Sequence, residues 1–396
     1  MHTLPQRCSK LHERTSRRDP GLTSIVAKAN ASRDSYESPF TPSSRRIYGV
    51  VVDAGNEMKL LCVIAAATTA QAFAPTRATT PTVCRGGGSE LQAVKNSAFV
   101  FVKPHAVTPP TIELVKSKLT GAGLTILSEG DISSEDIDQK KLVDQHYYAI
   151  ASKATITPPA ELAVPDDKFT EFFGESWSDV LSQGRAFTAI DACKELGLSG
   201  SEMDEAWGAA KGAGKIIKLG GGFYAGQLAK GDSSIYTFNA FYMSMRDRFT
   251  QPGGSIHYFA VEWDASTLPW ADFRGKLLGP TDPAAAPADS IRGLIYSDWK
   301  NLGLSGEPNT GDNGVHASAS PFEGLAEKMN WLQVKPSEDA FGAAIIADGL
   351  DEATLAKWIL DPVVTYPDGK GSLFDALEDS NVDACAAKLK ELKALA

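Results

Sequence analysis

Residues 97–103, SAFVFVK, open an alternation of short apolar strands and helix-patterned stretches, and this alternation limits the fold more than any other feature of the chain. TPPTIELVKSKLTGAG places proline at a helix start, apolar residues at helical spacing and glycines at the stop. LTILSEGDI reads as the next strand. SSEDIDQKKLVDQHYYAIASK reads as a helix opened by Ser133 with Asp136 three positions on, a variant of the capping box. SIHYFAVEW (255–263) is again a strand, STLPWADFRGKLLG a helix ended by Gly279, and NGVHAS a short strand. Ser320-Pro321 with Glu323 opens a further helix. This order predicts an α+β sandwich of the split-βαβ, ferredoxin-like kind.

Residues 155–235 interrupt the alternation with helix-like stretches and the run GAAKGAGKIIKLGGGFYAG, and are expected to form a helical insertion. The glycines invite a phosphate-loop reading. That loop needs G-x-x-x-x-G-K-[ST], so that backbone amides cradle phosphates while a hydroxyl holds magnesium. Gly214-Lys215 supplies only its end: Ala209 stands where the first glycine belongs and Ile216 replaces the hydroxyl. A turn or hairpin is expected instead. From 333 to 396 a helical extension is expected, ending in an amphipathic helix with Leu389, Leu392 and Leu395 roughly on one face.

With 396 residues, 43% hydrophobic, the chain has material for a sizeable core and more than one domain. A net charge of -10 gives no general attraction to nucleic acid or anionic lipid, so neither is expected as a partner. Five cysteines, at 8, 62, 84, 193 and 385, form no CxxC pair and suggest neither a zinc site nor a disulfide framework. Residues 1–57 are polar and aperiodic, and read as a disordered or over-extended N-terminus. Met58-Lys59, the apolar run 60–67 and Ala70-Gln71-Ala72 have the form of a signal peptide, 58–72, with a run too short to span a bilayer. Residues 73–94 carry threonine and arginine with no acid before Glu90, a transit-peptide composition. The join AQAFAP resembles the bipartite targeting signal of algae with complex plastids, which implies a plastid location, translation from Met58 and cleavage after Ala72.

One segment invites a chemical reading: NTGDNGVHASASPFEGLAEKMNW, 309–331, holds a single histidine among small and polar residues. His316 could be a satisfied surface histidine, a metal ligand, a general base or a covalent nucleophile. A metal site wants further ligands at close spacing, and none stands beside it. A nucleophilic histidine needs one free ring nitrogen and a partner for the other. Glu327, on the helix opened by Ser320, is placed to fold back as that partner, and the small neighbours leave room for a phosphate.

The pattern IRG…NGVHASAS…E…W resembles the active-site stretch of nucleoside diphosphate kinases, whose N-x-x-H-[GA]-S-[DN] carries a phosphorylated histidine. VFVKPHAV resembles the first strand of that family, HYYAI its helical H-Y pair, and LLGPTDPAAAPADSIRG its L-G-x-T-[ND]-P-x-x-A-x-x-[ST]-[IL]-R-G. The blocks agree in order across 98–153 and 237–332, so that 95–332 would be the catalytic domain with the insertion at 155–235 inside it. The resemblance implies a kinase that passes the γ-phosphoryl group of a nucleoside triphosphate to a nucleoside diphosphate through His316, with Glu327 on its other ring nitrogen. It implies that Ser318 bonds Glu327 and that Tyr147 lies near the transferred group. Lys103, Thr281 and Arg292 would then hold phosphates, and Asn313 the ribose. Magnesium (Mg2+) would be the cofactor, carried mainly by the nucleotide phosphates, and a homo-oligomer is implied because family members commonly form hexamers. Aromatic stacking on the base is implied too, for which FNAFYMSMRDRF offers Phe241 or Tyr242, with core burial the alternative reading of both.

Several positions depart from that family. Lys103-Pro104 is followed by His105-Ala106-Val107 where Asp-Gly is usual, and Ala319 replaces the polar residue that closes the histidine motif. A second phosphate-binding arginine is expected before Gly279, but Arg274 is one position off, with Lys276 as the alternative. The connection from Arg292 to Asn313 is long. These departures leave open a second reading, a nucleotide-binding or interaction module with the same fold and weak or no turnover.

Overall fold

The computed structural model of the chain describes residues 94–366 and 369–395. The expectations for 1–57, 58–72 and 73–94 lie, save for Val94, outside the described residues. Nine strands occur among them: β1 (Asn96–Val102), β2 (Thr125–Ser133), β3 (Ile216–Gly220), β4 (Phe223–Lys230), β5 (Ser233–Phe238), β6 (Ser255–Trp263), β7 (Val315–Ala317), β8 (Val363–Tyr366) and β9 (Gly369–Ser372). They form three sheets, ordered β2-β6-β1-β7, β3-β4-β5 and β8-β9, in which every paired neighbour is antiparallel. The molecule is therefore a mixed helix-and-sheet protein. No helix among the described residues is long and apolar enough to cross a membrane.

The run SAFVFVK becomes a central strand because both of its faces are covered. Ala98, Val100 and Val102 point into one core with Val115, Leu119, Ile291 and Ile295, from the helices Pro109–Gly121 and Ile291–Asp298. Phe99 and Phe101 point into another with Ile137, Val143, Phe249 and Trp331. The Pro109–Gly121 helix starts and stops where its sequence says: Thr108 caps it, accepting from Thr111 N, and Gly123 follows its end at φ 85°.

The stretch after Ser133 differs from expectation. Ser133 does cap a helix, accepting from Asp136 N at 3.1 Å, but that helix ends at Gln139. Lys141 turns the chain at φ 53°, and the short helices Leu142–His146 and Tyr148–Ala151 follow. The break turns Asp144 inward, where Arg246 Nε reaches both carboxylate oxygens at 3.1 Å and Thr155 Oγ1 donates at 2.8 Å.

Residues 155–235 carry four α-helices, Asp166–Phe173, Trp177–Ser182, Ala189–Leu196 and Gly200–Gly212, and also most of the sheet β3-β4-β5. A purely helical segment is therefore corrected, and the glycine run forms the β3–β4 hairpin turn. The C-terminal segment also holds more than helices, since β8 and β9 form a hairpin. In its last helix, Val382–Leu395, Leu389 and Leu392 are buried, whereas Leu395 is exposed.

Candidate active site

His316 stands on β7, opposite Phe101 of β1, and its ring stacks on the Phe101 ring at 4.7 Å between centroids. Strand pairing fixes the backbone and stacking fixes the ring. Gly314, just before β7, has φ 87°, and a side chain there would meet Ile295 at 2.9 Å. The glycine is needed for both reasons.

Glu327 comes from the helix Pro321–Trp331, capped by Ser320 Oγ, which accepts from Glu323 N at 3.1 Å. Gly324 lets this helix lie on β1: a Cβ there would stand 2.7 Å from Ser97 O. That approach brings Glu327 Oε1 to 2.6 Å from His316 Nε2. Ser318 Oγ lies 2.5 Å from Glu327 Oε2 and accepts from Phe99 N at 2.9 Å. His316 Nδ1 has no hydrogen-bond partner among the described residues.

The electrostatics keep the imidazole neutral. Burial, then the nearby charges of Lys103, Arg292 and Arg274, holds His316 well below the usual histidine range. Burial pushes Glu327 up to about 7, opposed by His146, Ser318 and Lys328. Glu323, whose carboxylate accepts from Ala319 N at 2.8 Å, is pushed up to about 8 by burial and by Glu327.

His316 lies in the wall of a cavity of about 1510 Å³, also lined by Lys103, Tyr147, Thr281, Arg292 and Asn313. Six of the eight residues singled out in the sequence thus share one cavity, and the other two, Glu327 and Ser318, stand behind His316. Lys103 Nζ donates to Gly311 O at 3.1 Å. Asn313 Nδ2 donates to Thr281 O at 3.0 Å, while its buried Oδ1 has no partner among the described residues. Arg292 is more committed than expected: Nε and one terminal nitrogen donate to Val315 O at 3.3 and 3.0 Å, and the other donates to Gly279 O at 2.8 Å. Burial, with Arg274 adding to it, lowers Arg292 to about 9.

Between the two cations offered before Gly279, Arg274 lines the cavity, while Lys276 is exposed and pairs with Asp272 at 2.9 Å. Phe241 and Tyr242 both line it; Tyr242 is buried and Phe241 half-buried. Part of the lining, with Trp207, Lys211, Lys218 and Tyr224, comes from the segment that interrupts the strand alternation.

His146 was missed by the sequence reading, although it sits beside Tyr147 in the matched HYYAI block. Its Nδ1 is 3.4 Å from Glu327 Oε1 and its ring meets the His316 ring edge-on at 4.7 Å. Burial lowers it to about 3. His146, His316 and Glu327 bring three atoms of metal-ligating type within 4.8 Å of one another, of which His146 comes from outside the 309–331 stretch.

No family model and no curated protein matches the chain. Solved structures similar to it include two enzymes. One is an apo nucleoside diphosphate kinase from Encephalitozoon cuniculi, 14% identical, covering 60% of this chain and 88% of that one with a TM-score of 0.28. Another is an NDP kinase from Pyrobaculum aerophilum, 17% identical, covering 62% and 99% with a TM-score of 0.29. Likeness this distant carries no functional weight, which rests on the site itself.

Proposed function

We propose that the chain is a nucleoside diphosphate kinase, moving the γ-phosphoryl group of a nucleoside triphosphate to a nucleoside diphosphate through a phosphohistidine on His316. The observation that carries this reading is the 2.6 Å contact of His316 Nε2 with Glu327 at the wall of a cavity that also bears Lys103, Arg292 and Asn313. Glu327 accepts a hydrogen bond from Nε2–H, which fixes the tautomer and leaves the lone pair of Nδ1 for attack. The strand order β2-β6-β1-β7, with antiparallel neighbours, supports a split-βαβ sandwich as the scaffold.

In the first half-reaction Nδ1 bonds to the γ-phosphorus while the bond to the β–γ bridging oxygen breaks, and the diphosphate leaves with that electron pair. Nε2 keeps its proton, so the phosphorylated ring gains a positive charge facing the Glu327 carboxylate. In the second, a terminal oxygen of an acceptor diphosphate attacks the phosphorus and Nδ1 departs, restoring neutral His316. Lys103 supplies a point charge for phosphate oxygens. The unpartnered Asn313 Oδ1 suits a ribose hydroxyl, which would satisfy an otherwise costly buried acceptor.

Magnesium brought in with the nucleotide would supply charge neutralisation during the transfer. Two imidazoles and a carboxylate do not offer the oxygen shell this ion takes, so the fit is to magnesium held on substrate oxygens and not on the His146, His316 and Glu327 group.

One observation favours a nucleotide-binding module without turnover: Arg292 is already bonded to two backbone carbonyls. Labelling separates the two readings. Incubation with ATP carrying a radioactive γ-phosphate should leave a base-stable, acid-labile label on the protein, and His316→Ala should remove it. Label retained by that variant would reject His316, and a folded wild type that binds ATP but takes no label would favour the module.

A further inference from the structure

Arg274 lies in the cavity wall, close enough for its charge to act on His316 and Arg292. One terminal nitrogen of its guanidinium donates to Glu378 Oε1 at 2.8 Å and to Asp379 Oδ1 at 2.7 Å. Its remaining nitrogens have no hydrogen-bond partner among the described residues.

The two acids are presented from a fixed support. Asp379 N donates to Ala319 O at 2.9 Å, three residues beyond His316. Asn381 Oδ1 accepts from Asn96 Nδ2 at 3.0 Å and from Trp270 N at 2.8 Å. Leu377 and Val382, on either side, are buried. The segment 378–381 is thus a short bridge with both ends in the core, and Asp379 itself lines the cavity. Two carboxylates on one guanidinium offer it the anionic oxygens that a phosphate would. With both acids ionised the group carries one net negative charge. With the acids neutral it would carry one positive charge.

Building on the kinase reading, we propose that Glu378 and Asp379 act as an internal phosphate mimic that occupies Arg274 and competes with the triphosphate for it. The C-terminal segment thereby sets the affinity of the nucleotide site. An arginine that served only to anchor this segment would have no reason to stand in the cavity wall with two nitrogens that bond to none of the described residues.

The test is ATP binding, with magnesium at fixed salt, by wild type, Asp379→Asn, the pair Glu378→Gln with Asp379→Asn, and each of these with Arg274→Gln added. The pair should tighten binding about fivefold, the size of a partly exposed charge contact. Asp379→Asn alone should give part of that gain, and Arg274→Gln should erase it in both. Asp379→Asn leaves Glu378 on Arg274, so it tests the idea even where the double variant does not fold; thermal unfolding identifies the folded proteins. Inorganic tripolyphosphate should show the same gain. Unchanged or weaker binding, a gain that survives Arg274→Gln, or a gain for ATP without one for tripolyphosphate would each overturn the mimic. ATP binding and His316 labelling that are intact, with no response to these variants, remove the mimic alone. Loss of both from every folded protein removes the kinase reading with it.

Discussion

His316 is neutral because its surroundings make a charged ring costly, and this sets an unusual pH dependence. A histidine nucleophile in water gains reactivity as pH rises through about 6.5. Here the ring is held far below that value, so its own protonation does not limit the reaction near neutrality. Glu327 is raised to about 7, and its ionised form accepts the Nε2–H most strongly and alone supplies the negative charge that stabilises a phosphorylated, positively charged ring. Labelling by ATP should therefore rise with pH through about 7, and Glu327→Gln should flatten that rise while slowing labelling about a hundredfold. A profile unchanged in the variant would detach Glu327 from the chemistry. Much of this was legible in the sequence: a histidine in a small-residue setting and an acid eleven positions on, seven residues past a serine cap. His146 was not, because its contact with Glu327 crosses 181 positions of chain and depends on the turn at Lys141. Nor was the engagement of Arg292 with Val315 and Gly279, which depends on the register of β7 and on the turn at Gly279.

Elements carry the precision of the site. The Pro321–Trp331 helix is positioned from one end by Ser320 and along its length by the absence of a side chain at Gly324. Gly324→Ala puts a methyl group 2.7 Å from a backbone oxygen of β1, so the helix itself has to move. Overpacking of that kind costs about 1–3 kcal/mol, and it lengthens the contact between Glu327 and His316. The expected outcome is a lower melting temperature together with slower labelling; full labelling in a destabilised protein would show that the helix adjusts without disturbing the pair. Strands and caps in this part of the chain follow from apolar runs and from serine, proline and glycine at their ends. The break after Gln139 and the sheet β3-β4-β5 do not. The first depends on a buried ion pair between Asp144 and Arg246, and the second on pairings with β4 that no single window contains.

Across the whole molecule, the C-terminal segment is part of the core and not an appendage. Phe322 and Leu325 of the site helix share one buried cluster with Phe341, Leu355, Trp358, Leu373, Leu377 and Leu389. Lys328, on the same helix, pairs with Asp339, and donates to Ser97 Oγ at 2.8 Å. Composition at 333–396 shows apolar residues at helical spacing but not where they pack. A chain ended after Gln333 should therefore lose more than its last helices: exposing two large apolar side chains removes roughly 3–6 kcal/mol of burial and leaves a lysine without its buried partner. Such a protein should melt lower and lose label with it, as measured by thermal unfolding and by labelling on the same sample; a truncated chain with wild-type melting would refute this. One face of a single helix thus serves the nucleophile while the opposite face closes the core against the tail. Partial opening of the tail, which needs only local unfolding, would take molecules out of the competent population without altering any residue that touches substrate.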